Sequence, residues 1–234
     1  MTPLSATPGH LRSSYAEVRD RVAAAAAAAG RRADEVEVLV ATKYVDVEGL
    51  AALAEAGITL VGENRAQDLA AKHERWGDAF TWDFIGHLQS RKTRVVLPLV
   101  RLIHSVSSMS VVQELQARAQ NTVEVLLEIN VAGEETKSGL ASGDVEAFLE
   151  QAAVCEKVAF AGLMCMPPLT ADPGAAAPYF AGTRELAARL SASWAGRYTF
   201  ARLSMGTSAD YEVAVREGAT IVRIGSAIFG ARNE

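Results

Sequence analysis

The chain has 234 residues, half of them hydrophobic, and a formal net charge of −5 at pH 7. This length and apolar content predict one domain with a sizeable core. The acidic balance and the lack of a basic stripe argue against nucleic acid or an anionic membrane as the main partner. No apolar run approaches the roughly 18 residues of a membrane span, and the N-terminal residues lack the pattern of a signal peptide. We therefore expect a cytoplasmic protein, with Cys155 and Cys165 as free thiols because their spacing fits no metal site.

Short β-rich segments alternate with helical patterns along the chain. An opening helix is predicted at about 11–29, ended by Gly30. Eight apolar segments follow and are predicted as strands: 36–42, 58–62, 81–86, 101–106, 123–131, 158–165, 200–206 and 219–225. Segments with apolar residues at the spacing of a helix lie between them, most clearly at 48–57, 110–120, 144–154 and 182–190.

Eight strand–helix units in this length predict a closed (β/α)8 TIM barrel with an extra N-terminal helix, an α/β fold. Near-continuous apolar strands are typical of a parallel sheet that is covered on both faces. An open doubly wound sheet is the alternative, but it would carry a Gly-rich GxGxxG turn after its first strand, and ATKYVD is unlike one. The irregular stretch 166–180 is predicted as a long loop, which either covers an active site or is a tolerated surface insertion.

Lys43 stands at the end of the first predicted strand, after the apolar run VEVLVA. In a barrel of this kind the chemistry lies where the strands end. A lysine there either extends its ammonium group into water over a packed stem, or is partly buried, which favours the neutral amine that condenses with an aldehyde or ketone. Residues at the other strand ends decide between these interpretations.

Two turn-to-helix joints follow the last two predicted strands. In SMGTSADYEVAV, Gly206 permits a tight turn and Ser208 is predicted to cap the next helix. In RIGSAIFG, Gly225 and Ser226 open onto a short helical turn. Capping explains each joint alone, but two adjacent joints with free backbone N–H groups are also suited to hold a phosphate. An amine opposite a phosphate site would suit a phosphorylated aldehyde.

Three further residues are candidates for ligand contacts. Arg223 interrupts an apolar run and is either part of a structural salt bridge, with Glu217 or Asp210, or a donor to a ligand ring nitrogen or carboxylate. His87 would stack on a flat ligand or hydrogen-bond to it, although a lone histidine is more often a satisfied rim residue. Asn64 would supply a neutral donor, although asparagine is also common in turns.

With these residues assembled, the chain resembles the YggS/PROSC family of pyridoxal 5′-phosphate (PLP) homeostasis proteins. The motifs that carry the resemblance stand in the family's order: VLVATK, GENRAQD, WDFIGHLQSRK, IHSV, EINVAGEETKSGL, GLMCMPP, LSMGTSADYEVAV and VRIGSAIFG. The resemblance implies one PLP-binding domain over 1–234, with its core at about 31–230. It also implies a fold type III barrel, similar to that of alanine racemase but without that enzyme's β-rich second domain.

The resemblance also implies roles for individual residues. Lys43 would hold the cofactor PLP as a Schiff base, Arg223 would meet the pyridine nitrogen, and Asn64 and His87 would line the ring. The phosphate would be bound, together with neighbouring backbone amides, by Ser204, Met205, Gly206, Gly225 and Ser226. Many relatives have Met where Thr207 stands, Asp where Ser107 stands and Thr where Ser226 stands. The change at Ser226 leaves the phosphate site in place, because Ser and Thr present the same hydroxyl, and the change at Ser107 removes a helix-cap carboxylate where Ser itself can cap.

Three functional hypotheses follow. The first is a non-enzymatic protein that binds, buffers and delivers PLP, because an arginine at the pyridine nitrogen disfavours ring protonation and weakens the electron sink. The second is a PLP-dependent amino-acid racemase, which needs a second acid/base group; Tyr44, Tyr179 and Tyr211 are candidates, and their spacing nominates none. The third is a cofactor-free Schiff-base aldolase, which usually carries its lysine on about the sixth strand.

Two expectations concern partners. Client apo-enzymes would receive PLP, and Lys137 is either a transient acceptor of PLP during that transfer or a solvated lysine. We expect a monomer, because no long apolar face demands a partner.

Overall fold

The computed structural model describes residues 6–133, 138–168 and 170–230. The strands in these residues are β1 (Glu37–Ala41), β2 (Leu60–Glu63), β3 (Thr81–Phe84), β4 (Leu102–Val106), β5 (Val123–Asn130), β6 (Leu140–Ala141), β7 (Val158–Cys165), β8 (Arg202–Thr207) and β9 (Ile221–Ile224). All eight predicted strands are confirmed. The two-residue strand β6 was not predicted, because so short a segment carries no periodic pattern.

Eight of these strands close into a parallel barrel. Each pairs in parallel with the next in the order β1, β2, β3, β4, β5, β7, β8, β9, and β9 pairs back with β1. The pairing of Ile103 with Val125 joins β4 to β5 and completes the ring. The predicted barrel is therefore confirmed. The doubly wound alternative is excluded, because an open sheet would leave two edge strands unpaired.

The helices pack around the ring. They are α1 (Pro8–Ala28), α2 (Leu50–Glu55), α3 (Ala66–Trp76), α4 (Thr93–Val96), α5 (Met109–Arg118), α6 (Val145–Ala152), α7 (Ala177–Ser193), α8 (Tyr211–Arg216) and α9 (Ser226–Phe229). The predicted extra N-terminal helix is α1, which begins after Thr7, whose hydroxyl accepts the N–H of His10. It packs against α8 and α9 through a buried face that includes Val18 and Val22.

The stretch 166–180 is only partly a loop. A 3₁₀ turn occupies Pro173–Ala176, and α7 begins at Ala177. The predicted long loop is therefore wrong in its second half, because Pro173 and Pro178 are tolerated in the first turns of the two helices. Met166, at the start of the stretch, is exposed at the carboxyl end of β7.

Apolar side chains form two layers because successive residues of a strand point to opposite faces. The main core lies between the ring and the helices. A smaller cluster of strand residues fills the interior of the ring: Leu39, Leu102, Leu126, Ala161, Met164 and Ile221. Both cysteines are buried and free. Within the described part of the chain, no helix has the length and apolar character to cross a membrane.

Candidate functional site

A cavity of about 560 Å³ opens where the barrel strands end. This volume is in the range of small-molecule sites, and the carboxyl end of the strands is where such barrels carry their active sites. Six of the predicted site residues line it: Lys43, Asn64, His87, Arg223, Gly225 and Ser226. The fold thus brings together side chains that are up to 183 positions apart, from Lys43 to Ser226.

Lys43 lies in the tight turn that follows β1. The N–H of Val45 donates to the carbonyl of Thr42 at 2.9 Å, so Lys43 and Tyr44 are the central residues of the turn. The Lys43 side chain is exposed, and its Nζ lies 4.8 Å from the centroid of the Tyr44 ring. Of the two interpretations of Lys43, the exposed one is therefore found, and the partly buried one is not. The Lys43 amine lies on the cavity wall, where a carbonyl compound has direct access.

Ser208 connects the two predicted turn-to-helix joints. Its Oγ accepts the N–H of Gly225 at 3.0 Å and the N–H of Ala227 at 3.1 Å. Ser208 also lines the cavity, as do Gly225 and Ser226. The end of β8 and the end of β9 therefore present one continuous group of hydroxyl and backbone N–H donors.

The predicted capping role of Ser208 is wrong. The helix α8 begins one residue after Asp210, whose carboxylate accepts the N–H of Thr207 at 2.6 Å and its hydroxyl at 3.0 Å. The predicted tight turn lies just beyond Gly206: Gly206 is a residue of β8, and the turn spans Thr207 to Asp210, where the N–H of Asp210 donates to the carbonyl of Thr207 at 3.1 Å. Gly206 has φ +91°, and a Cβ there would lie 2.6 Å from the Cβ of Ala214. Only glycine adopts this conformation at so close a contact without strain.

Arg223 is a buried cation at the base of the cavity. Its Nη1 donates to the carbonyl oxygen and the hydroxyl of Ser204, each at 2.6 Å, and its Nη2 donates to the carbonyl of Cys165 at 2.9 Å. Burial lowers the pKa of Arg223 from its ordinary value, although an arginine stays charged near neutral pH. One Nη2–H and the Nε–H have no partner among the described residues, so they are available to a ligand acceptor.

The salt bridge considered for Arg223 does not form. Glu217 pairs with Arg184 at 2.7 Å, and Asp210 is bonded to the Thr207 backbone. A buried guanidinium held by neutral oxygens is costly to desolvate, and it attracts an anionic or acceptor group.

Ser204 links Arg223 to a polar chain inside the barrel. Because Ser204 Oγ accepts from Arg223, its own proton is directed to His104 Nδ1, 2.8 Å away. The ring proton of His104 is then on Nε2, which donates to Asp83 Oδ2 at 3.1 Å. Burial lowers the pKa of His104, so the ring is neutral near pH 7. Burial alone would raise the pKa of Asp83, but hydrogen bonds from His104 and Arg101 outweigh it and lower that pKa.

Asn64 and His87 flank the cavity after β2 and β3. The Asn64 Oδ1 atom is buried and has no hydrogen-bond partner among the described residues, so it is available to a ligand donor. The Asn64 backbone packs so closely on Gly86 that a Cβ at Gly86 would lie 2.1 Å from the Asn64 carbonyl oxygen. The His87 side chain is exposed on the rim.

Glu128 is a cavity residue that was not predicted. It lies near the end of β5, is 8% exposed and accepts a hydrogen bond from the Ser138 hydroxyl. Its Oε2 atom has no partner among the described residues, and burial raises the pKa of Glu128. A charged residue inside the apolar run VEVLLEIN is the same sequence signal that identified Arg223, and it would have found Glu128.

Three predicted residues do not line the cavity. Ser204 lies inside the ring beneath Arg223, Met205 packs in the core between ring and helices, and Gly206 is a residue of β8 with a positive φ. Their role in phosphate binding stays a prediction, while the same segment presents Thr207 and Ser208 to the cavity.

Of the three tyrosines considered as acid/base groups, Tyr44 lines the cavity, and Tyr179 and Tyr211 do not. Tyr211 is buried in the core. Lys137 lies outside the described residues.

Comparison with known proteins is consistent with this geometry. Residues 15–233 match the family described as alanine racemase, N-terminal domain. The chain is 38% identical to the pyridoxal phosphate homeostasis protein of Aquifex aeolicus over 219 aligned residues. The alignment covers 92% of this chain and 95% of the relative. The corresponding protein of Pseudomonas aeruginosa is 36% identical over 94% of this chain and 95% of its own. This chain belongs to the family of the pyridoxal phosphate homeostasis proteins.

Solved structures of similar proteins share the barrel. PipY of Synechococcus elongatus, with PLP bound, is 28% identical and superposes with a TM-score of 0.80, over 94% of this chain and all of PipY. A protein from Bifidobacterium adolescentis is 33% identical, with a TM-score of 0.85 over 97% of this chain. Alanine racemase of Clostridium difficile, at 15% identity and a TM-score of 0.63, shares the fold alone and extends beyond it, since 53% of that chain is covered.

Proposed function

We propose that this protein binds PLP at the barrel mouth through Lys43 and contributes to intracellular PLP homeostasis. Membership of the family and the PLP bound in PipY support the cofactor. One observation of this chain carries the proposal: the exposed Lys43 amine opens onto the same cavity as the buried Arg223 and the Ser208–Gly225 joint. PLP supplies an aldehyde that condenses with a primary amine, with loss of one water, to form a Schiff base.

The phosphate would bind at the joined ends of β8 and β9. The N–H groups of Gly225 and Ala227 already converge on one oxygen, Ser208 Oγ. Ser208 and Ser226, which carry hydroxyl groups, line the same cavity, whereas the hydroxyl of Thr207 donates to Asp210 at 3.0 Å. A phosphate dianion is a stronger acceptor than a serine hydroxyl, so these amides and hydroxyls suit it. Within this set, Gly225 and Ser226 keep the predicted role and Ser208 is added.

The ring would lie between Arg223 and the residues that follow β2 and β3. Arg223 has N–H donors to spare and is held by Ser204, so it would donate to the pyridine nitrogen. Asn64 would bond to a polar group on the ring through its amide, whose oxygen lacks a partner among the described residues. His87 would cover one face of the ring from the rim.

This site suits binding and release better than turnover. A guanidinium donor at the pyridine nitrogen leaves the ring unprotonated, which weakens its capacity to accept electrons from a substrate carbon. Lys43 is exposed and the cavity is open to water, which favours exchange of the cofactor over protected chemistry. We therefore propose a non-enzymatic role in buffering PLP and delivering it to apo-enzymes, carried out in the cytoplasm by a monomer.

The decisive experiment is an absorption spectrum of the purified protein with PLP, before and after borohydride. We expect a visible Schiff-base band that borohydride removes, with the label mapped to Lys43. Lys43→Ala should abolish both band and label, whereas the control Lys92→Ala should keep both, since Lys92 does not line the cavity. A label on Lys92 or Lys137 would refute the assignment of Lys43, and a spectrum without a band would refute the proposal.

A PLP-dependent racemase is the second candidate, and one observation favours it. Glu128 places a buried carboxyl group of raised pKa in the same cavity as Lys43, and a carboxyl group of this kind is a potential acid/base catalyst. The test is incubation of the PLP-loaded protein with α-deuterated amino acids. Loss of deuterium in the wild type but not in Glu128→Gln would support catalysis. Retention of deuterium by the wild type would leave binding as the function.

A further inference from the structure

A buried ion pair lies directly behind the Lys43 turn. Glu63, the last residue of β2, contacts Lys72 of α3, and their side chains are 0% and 4% exposed. Neither residue lines the cavity. Replacing a buried ion pair by apolar side chains of similar size is often neutral or stabilising, so stability alone does not account for a pair at this position.

Both charged groups bond to Thr42, the residue before Lys43. Lys72 Nζ donates to the Thr42 carbonyl at 2.9 Å, and the Thr42 hydroxyl donates to Glu63 Oε1 at 2.5 Å. The N–H of Thr42 donates to the carbonyl of Gly62 at 3.0 Å. Every polar group of Thr42 is therefore held by the end of β2 or by α3.

The carbonyl that Lys72 holds is the same one that closes the Lys43 turn. It accepts the N–H of Val45 at 2.9 Å as well as the ammonium group of Lys72. The orientation of this peptide sets the direction in which Lys43 leaves the barrel. Glu63 also directly precedes Asn64, so one ion pair restrains two neighbouring strand ends that contribute to the cavity.

We propose that Glu63 and Lys72 are positioning residues that hold the Lys43 amine in line with the aldehyde of the ligand. This inference rests on the proposed function and deepens it. In the condensation a C=N bond forms, the carbonyl oxygen leaves as water with two protons from the amine, and no other reactant is needed. Such a step depends on the approach of nitrogen to carbon at about 3–3.5 Å, and a displacement of about 1 Å can cost about 100-fold.

The test compares the affinities of each variant for PLP and for 4′-deoxypyridoxine 5′-phosphate, which has the ring and the phosphate but no aldehyde. The ratio of the two dissociation constants reports the contribution of the bond to Lys43. We expect Lys72→Met to reduce the preference for PLP by about tenfold or more, while affinity for the deoxy analogue changes less than about threefold. Glu63→Gln, which keeps the shape of the side chain, should change the ratio in the same direction.

Lys157→Met is a matched control. Lys157 Nζ also donates to a backbone carbonyl, that of Ala119 at 2.8 Å, but it lies outside the cavity lining. We expect Lys157→Met to leave the ratio of the two dissociation constants unchanged, even if its melting temperature changes. Thermal unfolding is measured for all three variants, because a merely structural role would lower the melting temperature without changing the ratio.

Two outcomes would overturn the inference: an unchanged ratio in folded Lys72→Met and Glu63→Gln, or an equal fall in Lys157→Met. If Lys72→Met does not fold, the ratio of the isosteric Glu63→Gln decides. A wild-type protein that binds both ligands equally would instead refute the Schiff base itself, and hence the proposed function.

Discussion

Arg223 Nη1 lies 2.6 Å from Ser204 Oγ, and this bond sets the direction of every hydrogen bond behind it in the barrel. Ser204 must direct its proton to His104 Nδ1, and the ring must donate from Nε2 to Asp83. A protonated His104 would place a second donor against the Ser204 hydroxyl and a second cation near Arg223. The cavity floor is therefore built on a neutral histidine.

Acid is expected to destabilise the protein through His104. Burial lowers its pKa below the ordinary 6.5, so the unfolded chain takes up the proton first as pH falls. Stability is thus fully present above about pH 6.5 and is lost below it. The charged groups that act on the ring are Asp83, Arg101 and Arg223. The separate contribution of Asp83, whose pKa is also lowered, is lost only below its ordinary 3.8.

His104→Gln tests this account. Its amide reproduces a donor toward Asp83, but the smaller side chain should cost about 1–3 kcal/mol at pH 7.5. Urea unfolding without PLP is repeated between pH 7.5 and 5. The free energy of unfolding should fall less over this range in the variant than in the wild type. His10→Gln, which changes an exposed residue of α1, is the control. Parallel pH profiles for wild type and His104→Gln would contradict a neutral His104.

Ser226→Leu should weaken PLP binding far more than folding. Ser226 is exposed on the cavity wall, so a bulky apolar side chain obstructs the phosphate site but disturbs little packing. We expect PLP affinity to fall at least about tenfold, or ~1.4 kcal/mol, and the free energy of unfolding to change by about 0.5 kcal/mol or less. Ser193→Leu, at the exposed end of α7, is the control. Equal losses of binding and stability would show that the joint is structural.

Gly86→Ala should displace Asn64. The added methyl group would lie 2.1 Å from the Asn64 carbonyl oxygen, which is backbone and cannot rotate away. We expect a loss of about 1–3 kcal/mol in the free energy of unfolding, together with weaker PLP binding. Gly182→Ala, where a Cβ meets nothing within 4 Å, is the matched control. A stable Gly86→Ala with unchanged PLP affinity would show that this close approach is not required.

The stability of Glu128→Gln relative to the wild type should increase as pH rises. Burial raises the pKa of Glu128 above its ordinary 4.5, so its contribution to stability is complete below that value and is lost as pH rises through the folded pKa. The amide still accepts from Ser138 but cannot ionise. Urea unfolding without PLP at pH 5 and pH 8 measures the effect, with the exposed Glu124→Gln as control. If the difference in free energy of unfolding between Glu128→Gln and the wild type did not change with pH, the prediction would be contradicted.

Much of the site was predictable because strand ends are marked by local sequence. Lys43, Asn64, His87, Arg223 and the Gly225–Ser226 pair each follow or interrupt an apolar run, and all line the cavity. Lys72 was missed although a signal existed: it occupies the buried stripe of α3 with Ala66 and Leu69, at a spacing of three residues. A lysine on such a stripe needs a buried partner, but the sequence does not identify Glu63 as that partner.

The assignment of Ser204 illustrates a different limit. Ser204 and Ser208 are both small hydroxyl residues in the segment SMGTS, and either fits a phosphate site by residue type. Their depth in the barrel separates them, because Ser204 lies inside β8, where it meets Arg223 and His104, while Ser208 lies beyond the end of that strand.

The sequence alone determined the parallel barrel, the order of its strands and the residues that stand at their ends, since apolar periodicity and turn residues are local properties of the chain. Only the tertiary structure decided which of those residues open onto the cavity and which charged groups brace them. That choice depends on ring closure and on the depth of each side chain, which arise from pairings between strands far apart in the chain.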